Sequence, residues 1–252
     1  MEWTVTDIVI ICLGLGLGAF VKGAIGFGLP MIATPIMLFG MPLPEVVALM
    51  LAPVFVTNIQ QCWLTRTEWR RLSQFWPMIV ACWIVIIPGS QLLVRLNAEM
   101  LAGFVGVLIL FHALVEMAPA ALKQGRFAWL PQPQKLIIPA GLLSGVSGSL
   151  TSIYSFPTLQ LMVSMRLAKD GFVFVIGVFL LSGYIGLWSG LALAGFPSPA
   201  IALNGLWVVI PAIIGLLTGN AIRKHVAAAT FARLVNVALA IAGTALIGKA
   251  II

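Results

Sequence analysis

Charged residues are scarce in this chain. They make up 8% of its 252 residues, whereas a soluble domain carries about 25%. Hydrophobic residues account for 61%, so a surface built from this sequence would be too apolar for a water-soluble protein. The apolar runs are long and continuous, unlike the alternating strands of membrane β-barrels. The sequence therefore predicts an all-α polytopic membrane protein, because a helix satisfies its own backbone groups in lipid.

Residues that build catalytic or metal centres are equally few. Cys12, Cys62 and Cys82 lie in apolar segments without Cys-x-x-Cys or Cys/His spacing, so we expect neither disulfides nor a metal site. The two histidines, His112 and His225, are far apart in the sequence. No G-x-x-x-x-G-K-[ST] motif for nucleotide phosphates occurs in the sequence. We therefore expect no enzyme, no catalytic residues and no cofactor.

The apolar residues fall into ten segments. A full membrane crossing takes about 20 residues. The first, second, sixth and seventh segments are short or interrupted, and the other six are long enough to span. The ten segments are 8–21, 24–40, 46–64, 73–94, 99–117, 136–148, 150–165, 171–194, 201–219 and 229–248.

The chain divides into two similar halves. A polar stretch, "APAALKQGRFAWLPQPQK" at 118–135, separates a first transmembrane repeat (1–117) from a second (136–252). Each half contains a short, broken or re-entrant pair followed by three full helices. Both short pairs also contain two glycines and a proline at the same spacing. These residues are Gly23, Gly26 and Pro35 in the first half, and Gly145, Gly148 and Pro157 in the second.

The distribution of cations predicts the orientation. Lys and Arg collect in cytoplasmic loops, so the net charge of +7 does not indicate a nucleic-acid partner. If loop 65–71 and linker 118–135 are cytoplasmic, most cations lie inside, and Arg95 and Lys249 lie outside. Both termini then lie on the outer side, and the halves form inverted repeats, as in many secondary transporters. The inside cations are Arg66, Arg70, Arg71, Lys123, Arg126, Lys135, Arg166, Lys169, Arg223, Lys224 and Arg233.

Two glycine- and serine-rich stretches carry a family resemblance. "GAIGFGLPMIATPIMLFGMPLPEVVAL" (23–49) and "GLLSGVSGSLTSIYSFPTLQLM" (141–162) resemble the motifs of the sulfite exporter TauE/SafE family. The likeness extends over the whole chain in size, duplication and motif position. The family's usual Gly-x-Gly-Gly-Gly run is here Gly26-Phe27-Gly28, and hydroxyl residues replace the glycines in the second half. The resemblance implies transport of small sulfur-containing or carboxylate anions across the bacterial inner membrane.

Lys22 is the most informative single residue. Segment 8–21 would extend about 21 Å as a helix, less than the hydrocarbon core of about 30 Å, so Lys22 is predicted at a hairpin tip inside the bilayer. A cation there costs roughly 2.5–3.5 kcal/mol on insertion scales, and a bound anion would offset that cost. The alternative is that the first segment crosses fully and that Lys22 lies at the cytoplasmic surface.

The broken segments supply further candidate anion ligands. Broken membrane helices expose N–H groups that bind anions, so Gly23, Gly26 and Gly28 are predicted to form one wall of a cradle. Close helix packing through small residues is the alternative explanation. Hydroxyls form the other predicted wall, although such side chains also bond to their own helix. The predicted hydroxyl ligands are Ser147, Ser149, Thr151 and Ser152.

Two polar pairs on longer segments complete the predicted site. Asn58 and Gln61 share a helix face and are predicted to line the path, unless they only join helices. His112 and Glu116, four residues apart, form a candidate proton relay, although Glu116 also fits an interfacial carboxylate.

Together these features predict a secondary transporter of a sulfite-, sulfonate- or sulfoacetate-like anion, coupled to the proton-motive force. An anion channel with the same facing hairpins is the alternative. The expected partners are the anion, protons and the lipid bilayer. The sequence leaves open the anion, the direction, the coupling ion and the oligomeric state, a homodimer included. It also leaves open whether the short segments are re-entrant or spanning.

Overall fold

A computed structural model describes residues 3–118, 133–165, 167–196, 206–222 and 228–251. Throughout these ranges the regular elements are helices, which confirms the all-α prediction. Three 3₁₀ turns cover Arg66–Arg71, Gln91–Val94 and Pro133–Leu136. The α-helices are α1 (Val5–Ile25), α2 (Leu29–Met37), α3 (Leu43–Leu64), α4 (Leu72–Ser90), α5 (Ala98–Met117), α6 (Ile137–Thr151), α7 (Phe156–Ser164), α8 (Lys169–Leu193), α9 (Val209–Ile222) and α10 (Ala228–Ile251).

Each predicted apolar segment corresponds to one of these helices. Within the described ranges, six helical stretches are long and apolar enough to cross a membrane, which confirms the polytopic prediction. They include α1, α3, α5 and the stretch Arg66–Val94 around α4. In the second half they are Asp170–Leu193 and Arg233–Ile251. The described part of α9 has 14 residues, and the beginning of its predicted segment, 201–205, lies outside the described residues.

The first helix is longer than predicted. It begins with a capping box, in which Asp7 N donates to the Thr4 side chain and Thr4 N donates to Asp7 Oδ2 at 3.0 Å. It then continues for 21 residues to Ile25. Lys22 therefore lies in the last turn of a helix of spanning length, and the prediction of a short segment ending at a Lys22 tip is wrong. The helix continues because its lysine side chain is accommodated by α3, as described below.

Glycines allow the helices of the two halves to approach closely. A Cβ on Gly23 would lie 2.8 Å from Asn220 N on α9, and a Cβ on Gly145 would lie 2.8 Å from Cys82 O on α4. Between α5 and α10, Gly106 and Gly243 each oppose the carbonyl of the other. Interfaces of small residues are typical of membrane helices, because backbone contact replaces the hydrophobic effect in lipid.

The helix pairs bring the two halves together in one bundle. Helix α1 packs against α9, and α6 packs against α4, while α3 lies beside α8 and α5 beside α10. Between α3 and α8, Tyr184 Oη donates to Val47 O at 2.9 Å. The division at 118–135 and the inverted relation of the halves stay predictions, and residues 119–132 lie outside the described part of the chain.

Candidate functional site

Lys22 is buried between α1 and α3. Its side chain is 3% exposed, and its Nζ donates to Asn58 Oδ1 at 2.5 Å and to Thr57 Oγ1 at 3.1 Å. Helix α3 orients both acceptors through its own backbone, because Asn58 Nδ2 donates to Val54 O at 2.8 Å and Thr57 Oγ1 donates to Pro53 O at 2.7 Å. Lys22 is therefore enclosed by protein rather than exposed to water, while its depth in the membrane, at the cytoplasmic surface or within the bilayer, stays a prediction.

The partners of Lys22 are neutral, and no carboxylate is within ion-pair distance of it in the described part of the chain. The ion pair found there joins Arg71 to Glu68. Among the described Lys, Arg, Asp and Glu side chains, Lys22 is the one that is buried. An ammonium has three N–H groups, and two of them are used by Thr57 and Asn58. The ammonium therefore keeps a remaining donor and has no acidic partner among the described residues.

Two glycines break the chain one turn after Lys22. Gly26 ends α1 with φ 97° and donates its N–H to Lys22 O at 2.6 Å, and Gly28 begins α2 with φ 107°. Side chains rarely adopt such positive φ values, whereas glycine does so freely. The helix break predicted from these glycines is therefore present, at 26–28 rather than at Lys22.

A second break follows α6. Ser152 ends that helix in the left-handed region with φ 60°, and α7 begins after Ser155. Ser152 Oγ shares a hydrogen bond of 3.0 Å with Thr34 Oγ1 of α2, which connects the two halves. A small cavity lies between the breaks. It is lined by Gly28 and Pro30 from the first and by Ser152, Tyr154 and Ser155 from the second, with Leu180 on α8.

The short helices α2 and α7 begin at this cavity in the same way. Each has a proline in its first turn, and neither N-cap residue, Gly28 or Ser155, caps its helix with a side chain. First-turn N–H groups have no acceptor within their own helix. Both helix starts can therefore donate to an oxyanion in the cavity. Lys22 does not line this cavity, because its ammonium is directed to α3.

The other predicted ligands on the first half have different surroundings. Gly23 packs against α9, in agreement with the alternative explanation that small residues allow close helix packing. A Cβ on Gly26 would meet no atom within 4 Å, so this glycine serves the turn rather than close packing. Gln61 Nε2 donates to Val173 O on α8 at 2.9 Å. Gln61 therefore joins helices, whereas its predicted companion Asn58 contacts Lys22.

Most of the predicted hydroxyls are bonded within α6. Ser147 Oγ donates to Ser144 O at 3.2 Å, Ser149 Oγ to Val146 O at 2.9 Å, and Thr151 Oγ1 to Ser147 O at 2.6 Å. Ser149 also faces Gly89 on α4. Of the four predicted hydroxyl ligands, Ser152 lines the cavity. The other three are hydrogen-bonded within α6.

The predicted relay pair lies on α5. His112 is buried, and Glu116 is half-buried and accepts a hydrogen bond from Gln160 Nε2 on α7. This bond connects the last turn of α5 to the short helix α7. Gln160 was not predicted, because a single glutamine in an apolar segment has no distinguishing pattern.

Several contact residues were missed by the sequence analysis. Thr57 precedes the predicted Asn58 directly, and the lysine inserts between both side chains. Thr34 and Tyr154 contribute to the join between the halves, through Ser152 and through the cavity wall. The four polar residues between Thr57 and Gln61, interrupted by Ile59 alone, were a usable signal for Thr57, whereas single hydroxyls such as Thr34 are common in membrane helices.

The breaks suggest a second way to align the two halves. Gly26 and Ser152 each end a helix with positive φ, and Pro30 and Pro157 both lie in the first turn of a short helix. Alignment by these helix ends differs from the predicted match of Gly26 with Gly148 by about one helical turn. When the helix ends are aligned, Gly148 is the residue that corresponds to Lys22. The side chain of Tyr154 packs against Gly148. The lysine site is thus confined to the first half.

Comparison with known proteins agrees with this architecture. The model of the family described as "Sulfite exporter TauE/SafE" matches residues 10–246, nearly the whole chain. No curated protein and no solved structure matches the chain. Because the match includes both breaks and the Lys22 site, the resemblance seen in the sequence is confirmed, and the chain belongs to the sulfite exporter TauE/SafE family.

Proposed function

We propose that this chain is a secondary transporter that moves a small sulfur-containing or organic anion across the bacterial inner membrane, coupled to the proton-motive force. Membership of the TauE/SafE family implies a membrane transporter of sulfite or related anions. The proposal adds the residues that bind the anion and the coupling to protons.

The observation that carries the proposal is the buried ammonium of Lys22. Taking a charge out of water is expensive unless it is paired, and hydrogen bonds to Thr57 and Asn58 satisfy two donors without neutralising the charge. A mobile anion supplies the missing charge while it is bound. In this proposal the anion reaches Lys22 when the two breaks separate, because Lys22 does not line the cavity between them, and Asn58 holds the ammonium in place.

The two breaks give the anion a route between the halves. Their helix starts line one cavity, and Ser152 in its wall is hydrogen-bonded to Thr34 of α2. Separation of these hydroxyls would open the cavity toward one side, as alternating access requires. A closed contact of this kind supports a carrier rather than a permanently open channel.

Proton coupling is assigned to His112 and Glu116. The two side chains lie on one face of α5 at i and i+4 spacing, and the Glu116–Gln160 bond connects this face to α7. In the proposal a proton at Glu116 changes this bond and hence the position of the short helix. His112, buried beside the bundle core, passes the proton along α5.

Flux in proteoliposomes tests the proposal. We expect saturable uptake of ³⁵S-labelled sulfite that depends on an imposed pH gradient, and at least a tenfold loss of uptake in Lys22→Met, which keeps an unbranched side chain of similar length without charge. The matched control is Lys249→Met, because Lys249 is exposed on α10 and bonds to Leu38 O. Wild-type flux in Lys22→Met would refute the role of Lys22, and unsaturable flux would indicate a channel.

A further inference from the structure

We infer that the connection between α3 and α4 binds the headgroup of an anionic phospholipid. The binding surface consists of Trp63, Arg66, Trp69 and Arg70 and is called the Trp–Arg patch below. It lies on the last turn of α3 and on the 3₁₀ turn Arg66–Arg71. The inference is independent of the proposed function, because it concerns the lipid around the protein and not the transported anion.

The position of the patch along the chain places it at a membrane surface. Helix α3 and the stretch Arg66–Val94 are both long and apolar enough to cross a membrane, so the short connection between them lies where the chain reverses direction. Trp63 is 66% exposed and Trp69 is 63% exposed. Tryptophan rings are enriched at the level of the lipid headgroups. Both rings are therefore available to a headgroup rather than to the core of the bundle.

Each tryptophan of the patch positions an arginine. The Arg66 Cζ lies 4.7 Å from the centre of the Trp63 ring, and Arg66 Nη1 donates to Trp63 O at 3.0 Å. The Arg70 Cζ lies 5.8 Å from the centre of the Trp69 ring. The face of an aromatic ring attracts a guanidinium and leaves its N–H groups at the edge. An arginine has five such groups, so both side chains keep donors for a further partner.

The charge of the patch is not balanced by acidic neighbours. The acidic residue of the 3₁₀ turn, Glu68, forms an ion pair with Arg71. A Cβ on Gly171 would overlap the Arg71 side chain, so Arg71 packs against the start of α8 and fixes the turn to the bundle. Arg66 and Arg70 are exposed, and neither has an ion-pair partner in the part of the chain that the structure describes.

A phospholipid with a net negative headgroup fits this arrangement. A guanidinium donates two parallel N–H groups to phosphate oxygens, and clustered cations next to membrane helices bind anionic headgroups. Arg66 and Arg70 are about 8 Å apart along the 3₁₀ axis, within reach of one headgroup. The exposed rings and the exposed Leu64 add apolar contact with the glycerol and upper acyl chain, which a free phosphate ion lacks. The positive choline of a zwitterionic lipid would be repelled by the arginines.

Native mass spectrometry of the purified full-length protein tests this inference, because it counts the lipids bound to each chain. Phosphatidylglycerol or phosphatidylcholine with identical acyl chains is titrated into the protein. We expect the first phosphatidylglycerol to bind about tenfold more tightly than the first phosphatidylcholine. In Arg66→Gln/Arg70→Gln this preference should disappear, while the affinity for phosphatidylcholine is retained.

Two further variants separate the patch from net charge. Arg95→Gln/Lys135→Gln removes the same charge from two residues that are exposed and lie outside the patch, and it should keep the preference. Trp63→Leu/Trp69→Leu keeps both arginines and removes the rings that position them, and it should weaken phosphatidylglycerol binding.

Three results would overturn the inference. The first is an equal affinity of the wild type for both lipids. The second is an equal loss of the preference in the control pair and in Arg66→Gln/Arg70→Gln, which would indicate net charge alone. The third is displacement of phosphatidylglycerol by inorganic phosphate at matched ionic strength, which would indicate a site for a soluble anion.

Discussion

At the scale of single residues, the proposed function depends on Lys22, a buried lysine whose side chain contacts only neutral hydrogen-bond partners among the described residues. Hydrogen bonds from a charged donor contribute about 1.5–3 kcal/mol each, so Thr57 and Asn58 stabilise the ammonium enough for α1 to fold around it. They also leave its charge available. A carboxylate at either position would give a more stable protein and, in this account, an inactive one.

Asn58→Asp tests this directly. The introduced carboxylate lies where Asn58 Oδ1 accepts from Lys22 at 2.5 Å, so it forms an internal ion pair that competes with the substrate. We expect sulfite flux to fall at least tenfold while the melting temperature is unchanged or raised. Asn97→Asp is the matched control, because Asn97 is an exposed N-cap of α5 and aspartate caps equally well. Normal flux in Asn58→Asp would argue against anion pairing at Lys22.

At the scale of elements, most helices were predictable and their ends were not. Hydropathy places the ten segments because the lipid-facing composition dominates the sequence. Hydropathy ends the first predicted segment before Lys22, because it scores the lysine by its charge alone. It does not account for the hydrogen-bond partners, Thr57 and Asn58, that α3 supplies. The long first helix therefore becomes visible only when α1 and α3 are brought together.

The second break shows a different limit of the sequence. Glycine spacing aligned Gly26 with Gly148, but the residue that ends α6 at positive φ is Ser152. A non-glycine residue with positive φ is uncommon, so no sequence rule would have selected this serine. For the candidate site, the sequence identified Lys22, Asn58, Gly28 and Ser152, and it also included residues such as Gln61 and Gly23 that pack helices.

Gly23, which packs against α9, and Gly26, which forms the turn after α1, should differ in the loss of stability caused by substitution with alanine. In Gly23→Ala the new methyl meets Leu216 O and lies 2.8 Å from Asn220 N, so α1 and α9 must separate. In Gly26→Ala the methyl meets no atom, and the expected loss is the left-handed backbone strain of about 1–2 kcal/mol. We therefore expect a larger drop in melting temperature for Gly23→Ala than for Gly26→Ala. The reverse order would contradict the packing assigned to α1 and α9.

At the scale of the whole molecule, the two halves meet at Thr34 and Ser152, and a carrier must separate them. In a Thr34→Cys/Ser152→Cys variant without the native cysteines, we expect a disulfide to form, because the hydroxyls are 3.0 Å apart. Sulfite flux should then fall to background and return on reduction, while each single variant stays active. Full flux through the oxidised protein would show that this contact does not open during transport.

The predicted orientation is also tested on the whole molecule. Arg70→Cys places a thiol on a loop predicted inside, and Arg95→Cys places one on a loop predicted outside; both positions are exposed. In intact cells, a membrane-impermeant thiol reagent should label the Arg95→Cys variant, whereas labelling of Arg70→Cys should require permeabilised membranes. The opposite labelling pattern would reverse the topology and place both termini inside.

Equilibrium binding of sulfite to the purified protein is the sharpest test of anion binding at Lys22. We expect saturable binding of one sulfite per chain to the wild type and to Lys249→Met, and at least a tenfold weaker affinity in folded Lys22→Met. Equal affinity in all three proteins would contradict the claim that the buried ammonium of Lys22 holds the transported anion.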